Sequence, residues 1–249
     1  MRRRVRRKPV VASLPPSARS YLVEHVSLYA RVPQSDRDEL LRAVSILLAR
    51  KRFEGAGGLR VTEEMRLAIA SQAAVLLLHR RTRFYPKLAS IIVYPEEYAV
   101  REELEAEDGL VDELFEGRAG ESWQTGAVIL SWKDVERDLS SRGENVVLHE
   151  FAHQLDAETG SLNGAPVLKD AALRRRWPAT LAAAFERLID AVDCGRGSVL
   201  DPYGTEDPAE FFAVATEAFF LRPRALQRTE PTLYDVLAAF YRQDPARWQ

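Results

Sequence analysis

The sequence predicts an α+β fold that is rich in helix and has a small sheet beside one central helix. Two observations favour this fold class. Apolar residues recur at helical spacing over several long segments, whereas only a few short runs are β-branched and bounded by turn residues, as strands are. In addition, a chain of 249 residues, 46% of them apolar, can enclose a sizeable core.

The first third of the chain is predicted to be helical. The expected helices cover residues 17–29, 35–51 and 62–79. Ser35 and Thr62 are the predicted N-caps of the second and third helices, because each precedes a segment with helical apolar character. Residues 55–58, which read Gly-Ala-Gly-Gly, are expected to form a loop between them.

Strands are expected in the middle of the chain. The β-branched run over residues 89–94 ends at Pro95 and predicts one strand. A further strand pair is predicted near residues 110–118 and 127–132, with a turn region at 120–126 between them. The remaining helices are predicted over residues 132–139, 145–156, 169–192, 208–221 and 231–243.

The chain is expected to form one domain behind a short tail. Residues 1–12 are predicted to be a disordered basic arm, with contact to an anionic surface or a nucleic acid as the alternative. Residues 13–249 are predicted to be a single domain, with a helical part over about 13–80 and a catalytic part over about 85–249.

Composition narrows the class of protein. The net charge of −2 does not favour nucleic acid binding. The apolar run at residues 73–78 is too short to cross a membrane, and the basic arm is not followed by the apolar segment of a secretory signal. The single cysteine, Cys194, excludes a disulfide framework and a thiolate zinc site. We therefore expect a cytoplasmic protein.

The most informative motif is His149-Glu150-Phe-Ala-His153, which lies in a predicted helix. His149 and His153 are one turn apart and project from the same face, so their imidazoles can hold one Zn²⁺. Glu150 is then placed to act as general base on a water at the metal. The alternative is a pair of surface histidines on an ordinary helix.

The third ligand must come from elsewhere, since a catalytic zinc site has three protein ligands and an open position. Thr159 stands where a third histidine would follow the motif, and His25 and His79 lie in early helices. The remaining candidate is Glu210, because a later glutamate is the third ligand in gluzincins. Its alternative role is that of a first-turn glutamate favoured by the helix dipole, or a reciprocal capping partner for Asp207.

Two further residues near Glu210 in the sequence each have a functional and a structural interpretation. Glu217 is either the outer partner of a ligand imidazole or a salt-bridge partner of an arginine. Tyr203 is either a structural loop residue or a hydroxyl donor to the oxyanion of peptide hydrolysis.

These segments together resemble the Mlc titration factor A family, also called DgsA anti-repressor, a group of bacterial zinc-dependent peptidases. The resemblance covers nearly the whole chain beyond the first ten or so residues. The matching segments are Phe53-Glu-Gly55 with 62–78, Ile91-Ile-Val-Tyr-Pro95, Gly120-Glu-Ser-Trp-Gln-Thr-Gly126 through Trp132, 147–156, 201–220 and 240–245.

The resemblance implies a gluzincin-like domain with one zinc ion per chain, bound by His149, His153 and Glu210. It implies Glu150 as the catalytic base. The spacing of Tyr203 and Glu210 is similar to that in the lethal-factor toxin protease, where a tyrosine so placed assists catalysis. The expected activity is hydrolysis of peptide bonds in a peptide or protein, of an aminopeptidase-like kind and linked to the control of sugar-uptake genes.

The resemblance also leaves alternatives open. Some family members have a histidine that can occupy the zinc in a closed form, and here Asp112 stands in its place. A second hypothesis is a binding module that sequesters an Mlc-type transcriptional repressor, with peptidase activity secondary. A third is a purely structural zinc site, which the open coordination position disfavours.

Overall fold

A three-stranded parallel sheet lies beside the helix that carries the histidines. The computed structural model describes residues 14–80, 83–96, 126–141 and 143–248. Its strands are β1 (Arg52–Gly55), β2 (Ser90–Tyr94) and β3 (Ala127–Ser131), in the order β1-β2-β3. In this register Ile91 lies opposite Phe53 on one side and opposite Val128 on the other.

Helices make up most of the rest of the described chain. They are α1 (Pro16–His25), α2 (Ser27–Arg31), α3 (Arg37–Arg50), α4 (Glu63–Val75), α5 (Trp132–Asp138), α6 (Val146–Asp156), α7 (Ala171–Asp193), α8 (Pro208–Leu221), α9 (Pro223–Thr229) and α10 (Pro231–Tyr241). The helix-rich α+β prediction is confirmed. None of the helices in the described ranges is both long and apolar enough to span a bilayer.

Strong local signals located several helices well. Thr62 caps α4 as predicted, since its Oγ1 accepts a hydrogen bond from the backbone N–H of Met65 at 3.3 Å. The bounds of α8 agree with the prediction because Asp207 is its N-cap and Pro208 its first residue.

Two details of the first helices were predicted wrongly. The helix expected over residues 17–29 is interrupted at Val26, whose extended backbone separates α1 from α2 and whose side chain is buried. Ser35 is not an N-cap. It lies in a 3₁₀ turn before α3, and its hydroxyl donates to the side chain of Asp36.

The sheet differs from the sequence prediction. β1 was not predicted, because it has only four residues and a single large apolar side chain, that of Phe53, so it shows no alternating apolar pattern. The described neighbour of β3 is β2, in parallel register. The predicted strand at 110–118 lies outside the described residues, as do the predicted arm at 1–12 and Asp112.

The core is organised around α8. Almost every side chain of this helix is buried, and it packs directly against α6. Phe212 contributes to an aromatic cluster with Trp177 and Phe240, and all three pairs of rings meet at tilted or edge-on angles. A helix that is apolar on all sides lies in the interior of a protein. The packing of the core around α8 therefore fixes where its two acidic residues, Glu210 and Glu217, are placed.

A tight turn fixes the approach of α6 to α8. The carboxylate of Asp156, at the end of α6, accepts hydrogen bonds from the backbone N–H groups of Asn163 and Gly164 at 2.8 and 2.7 Å. Gly164 has a φ of 70°, and a Cβ there would lie 2.4 Å from the carbonyl oxygen of Pro208. Only glycine allows this contact. The turn therefore brings the first turn of α8 close to the motif helix.

Candidate metal centre

The two motif histidines are placed by the first two turns of α6. Asn145 caps this helix, because its Oδ1 accepts a hydrogen bond from the backbone N–H of Leu148 at 2.9 Å. His149 and His153 then project from one face, and their Nε2 atoms lie 3.2 Å apart. His153 is almost completely buried.

Glu210 reaches the same point from α8. Asp207 accepts hydrogen bonds from the backbone N–H groups of Ala209 and Glu210, which orients the first turn of the helix. One carboxylate oxygen of Glu210 lies 2.9 Å from Nε2 of His149, and the other lies 3.2 Å from Nε2 of His153. The carboxylate thus lies against both imidazoles, which is the arrangement that a shared cation requires.

The donor set fits a divalent metal. Nitrogen and oxygen ligands of a tetrahedral zinc ion lie about 3.3 Å from one another, given bond lengths of about 2.0–2.2 Å. The two Nε2 atoms lie 3.2 Å apart, and they lie 2.9 and 3.2 Å from the two oxygens of Glu210. One donor atom from each residue can be chosen so that all three lie within 4.8 Å of one another. The buried Oε2 of Glu210 is close to His149 but has no hydrogen bond of proper geometry. A cation between the groups would satisfy this oxygen.

The electrostatics of the cluster are dominated by its carboxylates. Burial lowers the pKa of His149, but its contacts with Glu210 and Glu217 outweigh that effect and raise the pKa to about 10. Burial raises the pKa of Glu210, yet the two imidazoles hold it well below its usual value. A metal ion must therefore displace a proton from His149, and metal affinity is expected to fall as the pH is lowered.

A series of polar contacts between buried side chains begins at the Nδ1 side of His149, away from the other two candidate ligands. Its Nδ1 lies 2.9 Å from Oε1 of Glu217, and Oε2 of Glu217 accepts a hydrogen bond from the backbone N–H of Asn145. The side-chain amide of Asn145 in turn donates to Oε1 of Gln72. A carboxylate that accepts the Nδ1–H of an imidazole fixes the orientation of the ring and makes its Nε2 a stronger donor to a metal. Of the two roles considered for Glu217, the geometry matches the imidazole partner.

Replacing Glu217 with glutamine is expected to lower the affinity of the site for a divalent metal ion, with Zn²⁺ as the probe, about 10- to 100-fold while the fold is kept. The amide preserves the size of the side chain but removes the negative charge beside Nδ1 of His149. A competition titration with a chromophoric chelator measures the change. Glu186→Gln, on an exposed part of α7, is the matched control. Equal zinc affinity in the two variants would contradict the supporting role.

Glu150 and Tyr203 lie beside the cluster. Burial raises the pKa of Glu150, although the two imidazoles oppose the shift. The ring of Tyr203 lies 6.0 Å from that of His149, between centroids, and 54% of the residue is exposed. Partial burial and the nearby carboxylate of Glu210 raise the pKa of Tyr203 to about 12. Its hydroxyl is therefore protonated at neutral pH and can donate a hydrogen bond.

Comparison with known proteins identifies the family. The model of the glucose-regulated metallo-peptidase M90 family matches residues 1–242. The chain belongs to the M90 metallopeptidase family. It is 37% identical over 235 residues to an uncharacterized protein of Synechocystis, covering 93% of this chain and 86% of the relative. It is 31% identical over 234 residues to Mlc titration factor A of Yersinia pestis and of Yersinia pseudotuberculosis, covering 90% of this chain and 86% of each relative.

Membership of the M90 family implies a metal ion. Within the described part of the chain, one group of three potential ligand residues can hold it, namely His149, His153 and Glu210. The predicted resemblance to the Mlc titration factor A family is confirmed by the same comparisons. The other two histidines lie apart from this group: His25 packs on Tyr21, and His79 lies between Asp36 and Glu39.

Sequence reasoning missed Gln72 and the supporting role of Asn145. A polar side chain in the apolar segment 67–75 was the available signal for Gln72, which is almost completely buried. Buried amides need partners, so such a residue indicates a polar contact from another element. The sequence does not indicate which element supplies it.

Proposed function

We propose that this protein is a zinc-dependent peptidase with His149, His153 and Glu210 as the metal ligands. The observation that carries the proposal is the convergence of their donor atoms, at 2.9 to 3.2 Å, beside a further carboxylate, Glu150. Family membership supports the metallopeptidase class. The choice of zinc rests on the nitrogen and oxygen donors, which leave a fourth position open.

The mechanism assigns a distinct task to each neighbouring side chain. When bound, zinc supplies a Lewis acid that polarises the scissile carbonyl and makes water acidic enough to attack it near neutral pH. Glu150 removes the proton of the attacking water and returns it to the leaving amine. The raised pKa of Glu150 suits both transfers. The protonated Tyr203 donates a hydrogen bond to the oxyanion that develops on the substrate.

Tyr203→Phe is expected to lower kcat about 10²- to 10³-fold, with little change in KM or in zinc content. The variant lacks only the hydroxyl, which acts on charge present in the transition state and absent from the bound substrate. Steady-state kinetics on one peptide substrate measure the effect, and Tyr21→Phe on α1 is the control. A wild-type kcat in the zinc-loaded variant would remove Tyr203 from the mechanism.

A panel of peptides tests the activity itself. The panel pairs each peptide with a free amino terminus with its acetylated form, and zinc content is determined in parallel. Cleavage restricted to the free amino terminus is expected for the aminopeptidase-like activity that we propose. Equal cleavage of the blocked peptides would support an endopeptidase instead, and no cleavage by zinc-loaded protein would contradict the peptidase proposal.

A second candidate function is supported by the names of two relatives, Mlc titration factor A of the two Yersinia species. In this hypothesis the chain binds an Mlc-type transcriptional repressor and thereby controls sugar-uptake genes. Calorimetry with a purified Mlc-type repressor tests it, with wild-type protein and the Glu210→Gln variant side by side. Tight binding by both proteins would favour a metal-independent binding module, and no binding by either would exclude that repressor as the partner.

A further inference from the structure

A cleft of about 340 Å³ opens beside the candidate metal centre. His149, Tyr203 and Glu217 line it from the side of the metal cluster, and Arg222 lines it at the end of α8. A substrate group in this cleft would lie close to the reacting atoms. The charged groups of the cleft therefore bear on which peptides are recognised.

Three carboxylates of the cleft already have partners in the protein. Asp138 accepts hydrogen bonds from Nε of Arg137 and from the backbone N–H of Val146, both at 2.9 Å. Asp201 accepts one from the backbone N–H of Tyr203. Glu217 is held by His149 and Asn145, as described above. These groups are thus committed to the protein.

The two arginines of the cleft differ in whether they form ion pairs with the protein. Arg137 forms ion pairs with Asp134 at 2.8 Å and Asp138 at 2.9 Å, and lies 3.9 Å from Glu144. No ion pair of Arg222 occurs within the described ranges, and its buried Nε has no hydrogen-bond partner there. Its backbone is fixed, since its N–H donates to the carbonyl oxygen of Ala218.

Arg222 is half-buried, and among the described residues no carboxylate neutralises its guanidinium. A partly buried charge without a counter-charge is unfavourable, so this guanidinium favours an anionic ligand. The terminal nitrogens of this guanidinium form a planar fork of donors that matches the two oxygens of a carboxylate. A lysine would not offer this geometry.

We propose that Arg222 forms a subsite that binds a carboxylate of the peptide substrate next to the metal centre, and this inference rests on the proposed peptidase function. The carboxylate comes either from an acidic side chain near the scissile bond or from the carboxyl terminus of the peptide. Both sources present the same group to the guanidinium. With this subsite, the protein selects peptides that carry a negative charge at one defined position.

Matched acid and amide peptides test the subsite. One set replaces glutamate with glutamine at each position around the scissile bond, and the other replaces the terminal carboxylate with a carboxamide. Wild-type protein is expected to prefer the acid about 10- to 100-fold in kcat/KM at one position. Preference within the first set identifies a side chain, and preference within the second identifies the terminus. No preference in either set would overturn the subsite.

Variants connect the preference to Arg222. Arg222→Gln is expected to abolish it, Arg222→Lys to retain a part, and Arg228→Gln, an exposed charge change on α9, to leave it intact. If the glutamine variant does not fold, the lysine variant and the wild-type preference still decide the question. An undiminished preference in the folded glutamine or lysine variant would overturn the assignment to Arg222.

Calorimetry separates this inference from the proposed function. The same acid and amide peptides are titrated into zinc-loaded Glu150→Gln protein with and without Arg222→Gln. An acid preference that depends on Arg222, without hydrolysis by wild-type protein, would support the subsite and contradict the peptidase. Hydrolysis without any acid preference would support the peptidase and overturn the subsite.

Discussion

Zinc-loaded Glu150→Gln protein is expected to hydrolyse peptides about 10²- to 10⁴-fold more slowly than wild-type protein, while it retains its metal. Glutamine has nearly the same size as glutamate but cannot accept a proton at neutral pH. Glu150 is not one of the three residues whose donor atoms converge, so the cluster keeps its ligands. The loss should appear in kcat, since the proton transfer occurs in the chemical step.

The measurement compares rates at equal zinc content, determined by elemental analysis of the same samples. Glu186→Gln provides the control, because it makes the same change on an exposed part of α7. A Glu150→Gln variant with one zinc ion per chain and a wild-type rate would exclude Glu150 as the general base.

Glu210→Gln is expected to weaken zinc binding by more than about 100-fold, beyond the loss expected for an outer partner such as Glu217. The carboxylate of Glu210 lies within 3.2 Å of both imidazole nitrogens and supplies the negative charge among the three donors. Glutamine keeps one neutral oxygen and introduces an amide group that can face the imidazoles. Both changes disfavour a divalent cation.

Dialysis against a chelator, followed by elemental analysis and a competition titration, measures this effect. Glu206→Gln serves as the control, because Glu206 is exposed and lies just before the start of α8. Retention of zinc by Glu210→Gln at wild-type affinity would show that the third ligand lies elsewhere in the chain.

Much of the helical fold could be predicted because its signals are local. A cap followed by proline marks the start of α8, and Thr62 marks the start of α4. The break at Val26 and the strand β1 were missed for the opposite reason. The backbone N–H of Ser27, just after the break, donates to the carbonyl oxygen of Leu139, and β1 pairs with β2, so both features involve distant parts of the chain. The short helix α9 follows α8 after a single residue and has no periodic pattern long enough to detect.

The candidate site could be predicted to a similar extent. Helical spacing alone places His149 and His153 together, and a later glutamate was the natural third candidate. The meeting of Glu210 with them depends on the turn at Gly164 and on the packing of α8 against α6, which no local pattern encodes. The contact between Gln72 and Asn145 joins residues 73 positions apart and became evident only in the folded chain.

The most direct test of the account is a zinc titration of metal-free protein, with hydrolysis of one peptide substrate followed at each addition. We expect activity to rise in proportion to added zinc and to level off at one ion per chain, and we expect the activity of Glu150→Gln protein to stay about 10²- to 10⁴-fold lower throughout. One zinc ion bound per chain with no hydrolysis of any peptide in the panel would contradict the peptidase proposal.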